Sequence, residues 1–223
     1  VTDNGYDNSY GIGLRLGWTG TISSVWTLGV TYQPKTSMSK FDKYKGLFAE
    51  GGKFDIPSNA ALGIAYKATQ KTVIAFDVEK IYYTDSKAIH NPLGPINSGI
   101  LQNTLGTGNG AGFGWDNITV YKLGAATVVN NNLTIRAGWN HNDQPIPSSQ
   151  TFFNLLAPGV VQDRLTLGAT WGVSKDSEFT VAYMHAFEKK VSGSKSIPSD
   201  FGGGEANLKM YEDSLGVAYS WKM

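Results

Sequence analysis

Three histidines, His90, His141 and His185, are the first residues of this 223-residue chain to weigh as chemistry. An imidazole becomes a metal ligand or a base when a second ligand stands at a fixed spacing from it. None of the three has such a partner. His90 and His141 fall in or near loops, and His185 falls inside a strand-like run. They read as scattered surface or interfacial histidines. Asp77 and Glu79 are two apart, so on a strand both point the same way. Paired carboxylates can do acid–base work, but a cross-strand lysine, Lys67 or Lys122, is the simpler partner for them. Residues 106–112 (GTGNGAG) look like a phosphate loop, yet the following Lys-Ser/Thr and helix are missing. No Ser/His/acid set converges. No catalysis, metal or cofactor is expected.

What remains is a set of basic residues, Arg15, Lys67, Lys122, Arg136 and Arg164, spaced among glycines and threonines. The elements that carry them are built on a repeated triplet, apolar–Gly–apolar. It recurs as Leu16-Gly17-Trp18, Leu28-Gly29-Val30, Leu62-Gly63-Ile64, Leu123-Gly124-Ala125, Ala137-Gly138-Trp139, Leu167-Gly168-Ala169 and Leu215-Gly216-Val217. Each triplet sits in a run that alternates large apolar residues with small, polar or charged ones. Alternation with period two makes a strand with unlike faces.

Nine such runs follow one another, at 10–22, 26–37, 60–68, 72–84, 115–129, 133–142, 162–173, 177–190 and 207–223. No window shows a helix of three turns, though 149–156 has the pattern of one short turn. The connections at 23–25, 69–71, 130–132 and 174–176 are short, and those between them are long. Short turns on one side and long loops on the other describe an antiparallel transmembrane β-barrel of the outer-membrane type. No stretch approaches the roughly 20 consecutive apolar residues of a membrane helix.

A three-residue turn preserves facing, which links Ile22 to Trp26, Ala68 to Thr72, Val129 to Leu133 and Val173 to Ser177. One face then collects Trp18, Trp26, Tyr32, Tyr66, Tyr82, Trp139, Trp171, Tyr219 and Trp221 near the strand ends. Aromatic belts at both headgroup levels have this form. The other face collects Arg15, Lys67, Asp77, Glu79, Lys122, Arg136 and Arg164. Charges there would be costly in a dry sandwich core and are accommodated in a hydrated lumen.

Composition agrees. The net charge of +1 gives no hold on nucleic acid, and zero cysteine excludes a disulfide scaffold and thiolate metal sites. Val1 opens directly into a polar segment, so an exported protein would be represented here by a processed or truncated chain. With the long loops outside the cell, Met223 ends on the periplasmic side and Val1 on the extracellular side. Single-chain bacterial barrels have an even number of strands. Nine strands are therefore expected to be part of a larger barrel, with residues 1–223 a single β-barrel domain lacking its first strands.

Several segments resemble the outer-membrane long-chain fatty acid and hydrocarbon transporter family (FadL/TodX-like). They are Asp77-Val78-Glu79-Lys80-Ile81-Tyr82-Tyr83-Thr84-Asp85, Gly112-Phe113-Gly114-Trp115-Asp116, Arg136-Ala137-Gly138-Trp139, Asn142-Asp143-Gln144-Pro145-Ile146-Pro147 and Leu155-Leu156-Ala157-Pro158-Gly159-Val160. Tyr183-Met184-His185-Ala186-Phe187 and the closing Ser214-Leu215-Gly216-Val217-Ala218-Tyr219-Ser220-Trp221-Lys222 belong to the same resemblance. It covers the whole chain and corresponds to the C-terminal half to two-thirds of such a protein. The resemblance implies a barrel of about fourteen strands, an N-terminal hatch in the lumen, and uptake of fatty acids, alkanes or aromatics released sideways through the wall. It also implies contact with outer-membrane lipid and lipopolysaccharide, and with the barrel-assembly machinery. Met223 departs from the terminal aromatic typical of the family.

The loops are unusually apolar, with Phe41, Leu47, Phe48, Phe54, Ile89, Leu93, Ile96, Ile100, Leu101, Phe113, Phe152, Phe153, Leu155 and Leu156. Such loops can pack into a lid, present a groove, or do both. The expected binding residues are Phe152, Phe153 and Leu156 at the mouth, with Arg136, Arg164 or Lys122 inside for an anionic head. The alternatives are a general porin, which needs an open polar pore, and an adhesin acting through its loops.

Overall fold

The computed structural model describes residues 3–94, 96–97, 100–101 and 104–221. Val1 and Met223, and the side chains of Ile96, Ile100 and Leu101, lie outside the described residues. The strands are β1 (Leu16–Thr21), β2 (Trp26–Gln33), β3 (Ser58–Lys67), β4 (Thr72–Tyr82), β5 (Ile96–Asn97), β6 (Ile100–Leu101), β7 (Ile118–Asn130), β8 (Leu133–Asn142), β9 (Asp163–Gly172), β10 (Ser177–Val191) and β11 (Leu208–Trp221). β5 and β6 form a two-stranded ribbon inside a long loop. The other nine make one sheet in the order β1-β2-β3-β4-β7-β8-β9-β10-β11. Every pairing is antiparallel, and every neighbour in the sheet is the next of these strands in the chain. This is an up-and-down meander with open edges at β1 and β11.

The four short turns share a device. A side-chain oxygen accepts the backbone N–H two residues on, as Ser23 does from Val25, Thr69 from Lys71, Asn130 from Asn132 and Ser174 from Asp176. Short polar side chains close turns in this way. The turns fix the register, and the register fixes the faces. Ile22 and Trp26 stand opposite each other, as do Val173 and Ser177. The β7–β8 turn differs from expectation. A bulge between Val128 and Asn130 puts Asn130, not Val129, opposite Leu133. The bulge absorbs one residue, so Thr127 still meets Ile135 and the facing of β8 is unchanged.

The two faces are those the alternation demands. Trp139, Trp171, Tyr219 and Trp221 share the apolar face and are 41%, 42%, 53% and 63% exposed. Asp77, Lys122, Asn140 and Arg164 form one continuous row across the opposite, polar face. The four long loops, 34–57, 83–117, 143–162 and 192–207, all leave from the same end of the sheet. There the polar face is covered: Ile118, Val120, Asn142, Ala186 and Leu208 are buried. Ile146 and Val160 from the 143–162 loop pack on Leu208, with Trp115, Val191 and Met210 around them.

Among the described residues, helix is limited to single turns. The turn expected over 149–156 appears as two 3-10 segments, Ser148–Gln150 and Phe153–Leu156. Ala49–Gly52, Tyr83–Asp85, Lys87–His90 and Ser199–Phe201 are further short turns within loops. Among the described residues no helix is long and apolar enough to cross a membrane.

Candidate functional site

The long loops form one connected cover. The first and second are joined by Glu50 N–H to Thr107 O, Gly51 N–H to Gly106 O, and the Lys87–Glu50 ion pair at 3.2 Å. The second and third meet at Asn154, which is fully buried. The Trp115 indole N–H donates to Asn154 Oδ1 at 2.6 Å, and Asn154 Nδ2 donates to the carbonyls of Phe113 and Gln150. Thr151, also fully buried, donates to Ala206 O in the fourth loop at 2.7 Å.

This cover places the greasy segment expected at the mouth. Phe153 stacks on Phe113 with ring centroids 5.3 Å apart, and Phe152 contacts Phe201 at 5.7 Å. Both rings are half-buried, whereas Leu155 and Leu156 are 54% and 74% exposed. The 34–57 loop packs on itself through Phe41, Phe48 and Phe54. Its base is held by Asp55, 3% exposed, which takes Lys35 at 3.0 Å, Lys53 at 3.3 Å and the Met38 N–H. Burial opposes ionisation of Asp55, but these donors outweigh it and hold the carboxyl below its ordinary range.

Beneath the cover, a recess of about 400 Å³ on the polar face is lined by Glu79, Tyr83, Val120, Lys122, Arg164 and Met184, among others. Three expected basic residues now separate by partner. Lys122 Nζ lies 2.6 Å from Glu79 Oε2 and is neutralised. Arg164 donates to Asn142 Oδ1 at 2.6 Å and Asn140 Oδ1 at 3.1 Å, both neutral acceptors. Arg136 donates to the Thr170 hydroxyl at 2.7 Å. Among the described residues neither arginine has an ion pair. Tyr83 reports the field of the recess. Burial pushes its hydroxyl pKa up, the Glu79 charge adds to this, and Arg164 opposes it. Asp77 faces the same interior, with its carboxylate resting over Gly63, where no Cβ stands in its way. Arg136 therefore lies outside the recess that holds Arg164 and Lys122, and the three loop residues lie above it.

Two pairs were not expected from the sequence. His141 Nδ1 is 2.9 Å from Asp163 Oδ1, and His185 Nδ1 is 2.8 Å from Asp213 Oδ1, which also accepts from Tyr183. Both lie on the apolar face, with Trp139 stacked on His141 at 5.8 Å. Each histidine has one carboxylate, and among the described residues no group of three could hold a metal ion. A larger recess, about 690 Å³, also lies on the apolar face, floored by Ala125, Ala137 and Ala169. Lipid chains meet such a face in a membrane; Arg136 also borders this recess, and its guanidinium donates to Thr170 on the opposite, polar face.

Comparison with known families settles the affiliation. Residues 3–220 match the family of outer membrane protein transport proteins, OMPP1/FadL/TodX. The chain belongs to this family. No protein of curated function matches it. Among solved structures, the Pseudomonas putida toluene transporter TodX superposes over 100% of this chain and 51% of its own length, at 18% identity and a TM-score of 0.62. A Pseudomonas aeruginosa FadL homologue covers 94% and 52%, at 16% identity and 0.66. The Ralstonia pickettii toluene transporter TbuX covers 95% and 48%, at 15% identity and 0.53. At these identities the likeness is one of fold, and the chain spans about half the length of each structure. The OMPP1/FadL/TodX affiliation makes the nine-stranded sheet a section of outer-membrane barrel wall.

Proposed function

We propose that the protein serves uptake of hydrophobic compounds, long-chain fatty acids or hydrocarbons, across the bacterial outer membrane through a binding site on the lumenal face. The polar face is the lumen, the long loops are extracellular and the short turns periplasmic. The observation that carries the reading is Arg164, a cation with no acid partner among the described residues, set beneath a cover of interlocked apolar loops. A general porin would leave that mouth open and polar. Here the cover joins all four loops and exposes Leu155 and Leu156 at its surface.

In this reading Phe152, Phe153 and Leu156 form part of an access groove, and Arg164 takes a carboxylate head below. Lys122 contributes little while Glu79 neutralises it. Each methylene removed from water stabilises the bound chain by about 0.8 kcal/mol, so few polar contacts are needed for micromolar binding. Partners are hydrophobic solutes, the surrounding outer-membrane lipid and lipopolysaccharide, and the assembly machinery during biogenesis. The test is the double substitution Phe152→Asp with Phe153→Asp in the whole protein. We expect weaker uptake of labelled fatty acid with the heat-modifiable folded band retained on a gel. Unchanged uptake of every hydrophobic substrate in a folded double mutant would leave the loop as a lid alone.

A further inference from the structure

We infer that the lumenal wall holds a second anion station at Arg136, below Arg164, so that a carboxylated solute is held twice on its way through. This rests on the uptake reading above. The two arginines lie on neighbouring strands of one face but point apart. Arg164 reaches toward Asn142 at the covered end, and Arg136 reaches toward Thr170 at the short-turn end. Thr170 lies six residues from Arg164 along β9, which is roughly 20 Å of extended chain. One head group cannot touch both guanidinium groups at once.

The wall between them is clear. The intervening row holds Gly124, Gly138 and Thr166, and Gly168 stands directly opposite Arg136. No charged or bulky side chain from β7, β8 or β9 separates the stations. The lower row also differs in charge from the upper one. The upper row carries Asp77 beside Lys122, with Glu79 next to it, so only its β8–β9 side favours an anion. The lower row runs Lys67, Val73, Ala126, Arg136, Gly168, Ala182 and Gly216, with two cations and no carboxylate. Glu178 is the first acid below it, and among the described residues it forms no ion pair with Arg136. The Arg136 guanidinium is aimed by a hydroxyl pair, Thr170 with Thr180 at 2.9 Å, which supplies orientation without cancelling its charge.

A neutral hydrocarbon gains nothing from either arginine, whereas a carboxylate gains at both. Arg136 is thus a specificity-determining residue for the passage step, and Arg164 for capture. The test uses the whole protein in proteoliposomes, with labelled oleate and a labelled alkane of matching length as probes. A charge-assisted hydrogen bond is worth enough that losing it shifts an equilibrium about tenfold. Arg136→Gln is expected to lower the oleate-to-alkane uptake ratio by about this factor through the maximal rate, and Arg136→Lys to restore most of it. Arg164→Gln is expected to raise the half-saturating oleate concentration instead. An Arg136→Gln protein with the wild-type ratio, or with oleate and alkane slowed alike, would overturn the second station and leave the uptake reading standing. A wild-type protein that moves neither probe would overturn both.

Discussion

Lys122 and Glu79 face each other across β7 and β4 with charged atoms 2.6 Å apart, and the Asp77 backbone is paired with that of Lys122 itself. A cation so flanked is a poor anchor for an anion. The effect is reversible by design. We expect Glu79→Gln to free Lys122 and tighten carboxylate binding by up to about fivefold, the ceiling for a partly exposed ion pair. Fluorescence titration with a fatty-acid probe would measure it. Weaker binding would mean that Glu79 itself contacts the ligand.

The assignment of faces makes a prediction at the wall. Leu167 is 51% exposed on the apolar face, and Thr166 beside it points to the polar face. Leu167→Arg should cost roughly 2–4 kcal/mol in a lipid refolding titration. Thr166→Arg should cost much less, because its side chain enters the hydrated lumen. Equal costs would contradict the assignment.

Asn154 should govern the cover. Asn154→Ala leaves the Trp115 indole and two loop carbonyls without their partner, a loss of about 1–3 kcal/mol. The sheet does not depend on those bonds. Limited proteolysis should cleave within 143–162 far sooner than in wild type, while the folded barrel band persists. Unchanged loop protection would show that the stacked Phe113 and Phe153 suffice.

Asp55 gives the 34–57 loop an acid-sensitive base. Its folded pKa lies below the unfolded value, so its contribution is complete above the unfolded pKa of about 3.9. It is lost as pH falls through the folded pKa. Hydrogen exchange across 34–57 should therefore stay slow at neutral pH and accelerate only on strong acidification. Asp55→Asn should show the fast rate at every pH.

The faces of this sheet are legible in the sequence because short turns transmit parity. Trp139 and Arg136 could be assigned to opposite sides from alternation alone, and β8 was bounded at Leu133–Asn142 by its own pattern. The bulge at the β7–β8 turn was hidden, since Asn130 closing its own turn through Asn132 looks the same with or without the extra residue. Register across the long loops was not legible. Facing alone pointed to Lys67 or Lys122 as the partner of Asp77 and Glu79, and Lys122 meets Glu79. The pairs Arg164–Asn142 and His141–Asp163 cross a long connection, where nothing local fixes which residues meet. The loop cover was visible as composition, but not as contacts. Asn154 and Thr151 are ordinary polar residues in sequence, and become buried only when the second and fourth loops close around them.

The most direct measurement compares labelled oleate uptake with sugar-driven swelling of liposomes containing the whole protein, wild type against Arg164→Gln. We expect saturable oleate uptake by wild type, about a tenfold higher half-saturating concentration in the variant, and no swelling with sugars in either. Rapid swelling with sugars, together with oleate uptake indifferent to Arg164, would contradict a closed hydrophobic channel anchored at that residue.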